Sequence, residues 1–217
     1  MKIFIPSDLH RVDGTDADEF RGCDEAFVER LKTLDFDLLV INGDLDDLQQ
    51  GSQEEIDKAH AVTNDYFSQH NFIHIIGNHD RKTKKTTIKE FYFEMSDGRK
   101  GLVIHGDKSD WRMFFTSKLI GLFGLLERID PAFRDIDNPE KWAKKAHKKA
   151  QKKMDKYVLK LFKKGYDIVV VAHIHIKYIK RGFYKGREVI HANSGHCMHG
   201  QVEGIMIDTG ACTVEAV

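Results

Sequence analysis

Ile75-Ile76-Gly77-Asn78-His79-Asp80 is the stretch that decides the fold. The apolar run 72–76 reads as a short buried strand that stops at a glycine. A carboxamide, an imidazole and a carboxylate follow at once, and all three are costly to bury without partners. Open α/β sheets bind ligands just beyond the carboxyl ends of their strands. Taken alone, Gly77-Asn78-His79-Asp80 equally suits an ordinary turn, since Gly, Asn and Asp are turn residues. The other strand ends decide between the two readings.

Upstream, residues 2–6 read as a first strand that ends in Ser7-Asp8-Leu9-His10, and residues 37–41 as a second that ends in Asn42-Gly43-Asp44. Between them, residues 24–34 carry Ala26, Phe27, Leu31 and Leu34 at the spacing of an amphipathic helix. The loop 11–19 is acidic (Asp13, Asp16, Asp18, Glu19), lacks the ligand spacing of an EF-hand and reads as solvated. Residues 54–70 read as one crossover helix leading back to the strand at Phe72. This β-α-β-α-β order predicts parallel strands with right-handed crossovers.

Downstream, residues 82–89 form a basic connection, and residues 102–104 a short strand ending in His105-Gly106-Asp107. A long helical stretch over 111–164 precedes a strand at 168–171 that ends in Ala172-His173-Ile174-His175. Segments 178–183, 187–192, 204–208 and 213–217 then read as hairpin-like, with Gly182, Gly186 and Gly210 as turn residues.

The strand ends together carry Asp8-x-His10, Gly43-Asp44, Gly77-Asn78-His79-Asp80, His105 and His173-x-His175. Residues i and i+2 of a strand share a face, so each Asp/His pair can turn to one side. Carboxylate, imidazole and carboxamide without thiolate suit Mn, Fe or Zn better than copper or an iron–sulfur cluster. The groups are too many for one tetrahedral ion and suit two ions about 3.5–4 Å apart, an arrangement that activates water and clamps a phosphoryl group.

This ordered set resembles the calcineurin-like metallophosphoesterase superfamily, whose motifs run D-x-H, G-D, G-N-H-D/E, H and G-H-x-H. The resemblance covers nearly the whole chain. It implies a four-layer α/β/β/α sandwich and a dinuclear divalent-metal phosphoesterase, in which an activated water attacks phosphorus in line with the leaving oxygen. It further implies that Asp8, His10 and His175 hold one metal, that Asn78, His105 and His173 hold the other, and that Asp44 bridges them. His79 would then lie outside the ligand set and serve the phosphate or leaving oxygen, with Asp80 orienting its imidazole. Ala172 departs from the family's Gly and puts only the local backbone angle in question. His191, His196 and His199 lie near Asn193-Ser194-Gly195 and either shape the mouth of the site or are exposed turn residues. His60, His70, His74 and His147 have no partner pattern and read as structural or solvated, and Cys197 as an ordinary thiol.

The 217 residues are read as one domain, 1–217, with a helical insertion over 111–164. Lys plus Arg equals Asp plus Glu at 34 each, so net charge points to neither nucleic acid nor an anionic membrane. Three widely spaced cysteines without a CxxC pattern, and a start that enters a strand at once, lead to the expectation of a cytoplasmic protein without a signal peptide. No apolar run reaches the length of a membrane span.

Segment 111–129 is apolar around more than one helical face, and 141–164 is Lys-rich with an apolar stripe. Either the two pack together on the sheet, or they form a lid that receives an acyl chain, a membrane face or a second copy of the chain. For the lid, Phe114, Phe115, Leu122, Phe123 and Leu126 are expected to stay partly exposed. His105-Gly106-Asp107 followed by such an insertion resembles the branch containing the UDP-2,3-diacylglucosamine pyrophosphatases, although those enzymes commonly carry Arg where this chain has His79. Three readings stay open: a manganese-dependent esterase, a pyrophosphatase acting on a nucleotide-linked lipid, and a non-catalytic metal-binding or scaffold protein.

Overall fold

The computed structural model describes residues 1–16, 18–110 and 139–217. These fall into two compact units, Met1–Gly106 with Lys160–Val217, and Asp107–Leu159.

The larger unit is built on two five-stranded mixed sheets. The first runs β10-β9-β1-β2-β3, from β1 (Lys2–Pro6), β2 (Leu38–Asn42), β3 (Phe72–Ile75), β9 (Gly204–Asp208) and β10 (Thr213–Ala216). The second runs β4-β5-β6-β8-β7, from β4 (Phe91–Glu94), β5 (Lys100–Val103), β6 (Ile168–Val171), β7 (Tyr178–Tyr184) and β8 (Arg187–Asn193). Parallel pairing joins β1 to β2 and β2 to β3 in one sheet, and β5 to β6 and β6 to β8 in the other. The ends of all these strands therefore gather at one edge of each sheet. β4 (Phe91-Tyr92-Phe93) is a strand that the sequence pattern did not mark out; it pairs antiparallel with β5.

Strand alternation explains the layering. Ile3, Ile5, Val40 and Ile75 of the first sheet share one apolar cluster with Val103, Ile168, Val170 and Ile190 of the second. Phe4, Leu39 and Ile41 point the other way, into a cluster with Phe27 and Leu31 of helix α1 (Asp24–Thr33) and with Tyr66 and Phe67 of helix α3 (Ala61–Gln69). Both faces of these strands are thus buried, which is why they read as continuous apolar runs. The fold is α/β, two mixed sheets with helices, as expected.

The expected single helix over 54–70 is two. α2 (Gln53–Ala59) ends at His60, whose backbone (φ −111°, ψ 44°) breaks the helix before α3 begins. The break has a cause: the His60 ring is buried and bonded on both sides, by Nδ1 to Asp24 and by Nε2 to Asp18, each at 2.8 Å. The same contacts correct the reading of the acidic loop as solvated. Asp13, Asp16 and Glu19 are exposed, but Asp18 is buried beneath His60.

The second unit contains a 3₁₀ turn (Asp107–Asp110) and most of helix α4 (Pro139–Lys163). Lys148, Lys149, Lys152 and Lys156 of α4 are exposed, while Met154 and Val158 are buried. The residues on which the lid expectation rests, Phe114, Phe115, Leu122, Phe123 and Leu126, lie outside the described residues. No helix among the described residues is long and apolar enough to cross a membrane.

Candidate metal centre

Five strands deliver the polar residues. Asp8 and His10 follow β1, Asp44 follows β2, Asn78 and His79 follow β3, His105 follows β5, and His173 and His175 follow β6. Backbone bonds stitch the loops together: Asp8 N donates to Gly43 O at 3.1 Å and His10 N to Asp44 O at 3.0 Å. Between the sheets, His105 Nδ1 meets Asn42 O at 2.8 Å, and His173 N donates to Asp8 Oδ2 at 3.3 Å.

The loops are held in a strained backbone. Asp8 (φ 52°), His10 (49°), Asp44 (51°), His173 (71°) and His175 (54°) all take left-handed angles. Each such residue costs on the order of 1 kcal/mol, and such strain persists where surrounding structure over-determines it, commonly at functional sites. Ala172 keeps an ordinary backbone, because the left-handed step falls on His173. The departure from the family's Gly therefore strains nothing.

Ligand-type atoms gather in three sets, each within 4.8 Å: Asp8, His10 and His175; Asp44, His105 and His173; and His10, Asp47 and His79. Asp44 lies between the first two. Its Oδ2 is 3.1 Å from His105 Nε2 and 3.8 Å from His10 Nε2, and its Oδ1 accepts from His79 N at 2.8 Å. His10 Nε2 and His175 Nε2 stand 3.3 Å apart.

Charge is concentrated here. Burial pushes the Asp8 carboxyl up, but His175 and His10 outweigh it and hold Asp8 well below the usual carboxylate range. Asp44 is depressed likewise, burial being outweighed by His105. Burial pulls His105 down, yet Asp44 and Asp8 raise it to about 10. A buried field that draws positive charge this strongly suits a cation.

A direct test of fit comes from unmet hydrogen bonds. Asp8 Oδ1, Asn78 Oδ1 and His105 Nε2 are buried without a hydrogen-bond partner. The 3.1 Å approaches of Asp8 Oδ1 to His175 Nε2 and of Asp44 Oδ2 to His105 Nε2 lack hydrogen-bond alignment. Buried polar atoms left so are costly. Oxygen and imidazole donors grouped within 4.8 Å of one another are what a divalent ion of the Mn, Fe or Zn type takes.

One placement differs from expectation. Asp80 was expected to orient His79, but its carboxylate is spent on backbone. It accepts from Asp44 N (2.6 Å), Gly77 N (3.0 Å) and Asp46 N (3.0 Å), with His74 Nε2 at 3.2 Å. The carboxylate beside His79 is Asp47, whose Oδ1 lies 2.9 Å from Nδ1 as an ion-pair contact. Asp47 stands three residues after Asp44 in the same polar turn, and that Asp44-Leu45-Asp46-Asp47 run was the available signal. His196 brings its ring to 6.1 Å from that of His175, at the site. His191 instead bonds the Tyr178 hydroxyl at 2.8 Å, and His199 is exposed. His60 and His74 are buried and structural.

The profile of the calcineurin-like phosphoesterases matches residues 1–177. Among curated proteins none matches. Solved structures similar to the chain include an archaeal phosphodiesterase, at 16% identity, covering 100% of this chain and 99% of the other, with a TM-score of 0.48. A dimetal phosphatase from Danio rerio is similar at 11% identity, 100% and 98% coverage and a TM-score of 0.48. Vps29 of Entamoeba histolytica complexed with zinc is similar at 12% identity, 100% and 98% coverage and a TM-score of 0.47. At these scores the structural likenesses add no weight, and the profile match carries the assignment.

Proposed function

The chain belongs to the calcineurin-like phosphoesterase family, and from that premise we propose that it hydrolyses a phosphate ester with two divalent metal ions. The observation that carries this is the meeting of two ligand-type sets, Asp8, His10 and His175 with Asp44, His105 and His173, where His10 Nε2 lies 3.7 Å from Asp8 Oδ1 and 3.8 Å from Asp44 Oδ2 and where buried Asp8 Oδ1 and His105 Nε2 have no hydrogen-bond partner. In this reading Asp8, His10 and His175 hold one ion, Asn78, His105 and His173 the other, and Asp44 is shared. Such a pair supplies a water that ionises near neutral pH and a clamp for phosphoryl oxygens.

The remaining work falls to the chain's own groups. Asp47 sets its negative charge against His79 Nδ1. In this reading Asp47 orients the ring, so that Nε2 can pass a proton to the departing oxygen. His79 N, bonded to Asp44 Oδ1, ties the position of this acid to that of the shared carboxylate.

A chromogenic monoester, a chromogenic diester and a nucleotide pyrophosphate, each offered with Mn²⁺, test the reading. Turnover of one of them that chelator abolishes is expected. Metal uptake without turnover of any would leave the non-catalytic binding or scaffold role in its place. A narrower reading, a pyrophosphatase acting on a nucleotide-linked lipid, is favoured by the apolar segment 111–129 of the insertion over 111–164. Cleavage of UDP-2,3-diacylglucosamine would decide for it. The same apolar sequence suits pairing of two copies. The three unbridged cysteines support a cytoplasmic setting.

A further inference from the structure

Arg11, next in sequence to His10, is fully buried and far from idle. Its Nε and Nη2 both donate to Asp46 Oδ1, at 2.8 and 2.6 Å. Its Nη1 donates to Thr63 Oγ1 at 2.7 Å and to Asn64 Oδ1 at 3.1 Å. The backbone repeats the connection: Arg11 N donates to Leu45 O at 3.1 Å, and Asp47 N to Arg11 O at 2.9 Å. Arg11 and Asp46 form a parallel bridge outside either sheet. Side chain and main chain thus join the loop of Asp8 and His10 to the loop of Asp44 and Asp47.

Asp46 is gripped from the other side as well. Its Oδ2 accepts from Lys85 Nζ at 2.6 Å and from Gln53 Nε2 at 2.9 Å, while its backbone N donates to Asp80 Oδ1. Behind Arg11, the Thr63 hydroxyl donates to Asp24 Oδ1 at 2.7 Å, and Asp24 Oδ2 meets His60, whose far nitrogen meets Asp18. The carboxylates of Asp46, Asp24 and Asp18 are thereby set against Arg11, Lys85 and His60. A cluster balanced in this way has no call for a metal of its own.

Neither loop has a relaxed backbone to fall back on, since Asp8, His10 and Asp44 are all left-handed. A strained loop needs an external tie to keep its side chains at ligand spacing. Only a planar fork reaches Asp46, Thr63 and Asn64 at once; a lysine ammonium cannot.

We infer that Arg11 is a positioning residue: by clamping Asp46 it fixes the spacing between the Asp8–His10 ligands and Asp44. This rests on the two-metal reading, and metal affinity is a readout separate from turnover. Arg11→Lys and Arg11→Met are compared with wild type and with Thr63→Val, which cuts the network on the side away from the site. Mn²⁺ affinity is measured by chelator competition, and melting temperature on metal-free protein. Arg11→Met should lose about tenfold or more in Mn²⁺ affinity, the range seen when groups behind ligands are removed. Arg11→Lys should lose less, and Thr63→Val should melt lower while binding Mn²⁺ within about twofold of wild type. If the Arg11 variants and Thr63→Val all melt lower and none changes Mn²⁺ affinity, Arg11 only supports the fold and the inference is overturned. Arg11→Lys decides the matter should Arg11→Met not fold. Wild type that takes up no Mn²⁺ would overturn the metal reading itself, and this inference with it.

Discussion

A single methyl group on Gly77 should disable the site. A Cβ there would lie 2.1 Å from Asp44 Oδ1, 2.5 Å from Asp44 N and 2.8 Å from Asp44 Cγ. Ordinary contact begins near 3.4 Å, so the Asp44 carboxylate would have to retreat by more than 1 Å. It has little room: Asp44 N is held by Asp80 Oδ2 at 2.6 Å, and Oδ1 by His79 N at 2.8 Å. Gly77 itself has no left-handed φ, so the alanine strains nothing except Asp44. Ligand distances tolerate about 0.2 Å, and a misplacement of about 1 Å can cost about 10²-fold in rate. Gly77→Ala is therefore expected to lose at least about 10²-fold in turnover and to bind Mn²⁺ more weakly. Crowding of this kind costs only about 1–3 kcal/mol of stability, so the protein should still fold. Calorimetric Mn²⁺ titration, turnover and circular dichroism are read side by side, with Gly182→Ala, a position with open space around it, as control. A Gly77→Ala protein that binds Mn²⁺ and turns over like wild type would refute the placement of Asp44 at the centre of the site.

His79→Ala should keep both metals and lose about 10²–10⁴-fold in turnover, the usual share of a positioned acid. Asp47→Asn should lose part of the same activity through His79, and loss of metal in His79→Ala would put that imidazole among the ligands. His60 bears on alkaline stability. Burial pulls its pKa down, but hydrogen bonds to Asp18 and Asp24 outweigh this and raise it from 6.5 to about 9. Its contribution is whole below pH 6.5 and lost as pH rises through about 9, on the order of 3 kcal/mol at about 1.4 kcal/mol per pH unit. The gap in denaturant stability between wild type and His60→Gln should shrink across that window, and a constant gap would contradict a charged His60. Burial pushes the Cys197 thiol up to about 12, so alkylation of folded protein at pH 8 should spare Cys197 and label the half-exposed Cys212 first.

The strands and the order of the site residues were legible because each buried strand is a run of apolar residues with a polar group at its end. Residues 2–6, 37–41, 72–76 and 168–171 needed no partner information for that. What stayed hidden was pairing at a distance. Nothing local tells that the carboxylate beside His79 comes from Asp47 and not from adjacent Asp80, because the turn after β3 aims Asp80 back at the amides of Asp44 and Asp46. The break at His60 was hidden for the same reason, since its two carboxylate partners lie 36 and 42 residues away. Arg11 reads as an ordinary loop residue until Asp46, Thr63 and Asn64 are seen around it. β4, a short edge strand with exposed Tyr92, has too weak an alternation to announce itself.

The most direct test of the central claim is a count of metal ions with their positions. Elemental analysis of Mn²⁺-saturated protein, combined with an anomalous difference map, should give two ions per chain. One is expected among Asp8, His10 and His175, the other among Asn78, His105 and His173, with Asp44 reaching both. A single ion, or ions bound away from Asp44, would contradict the two-metal account.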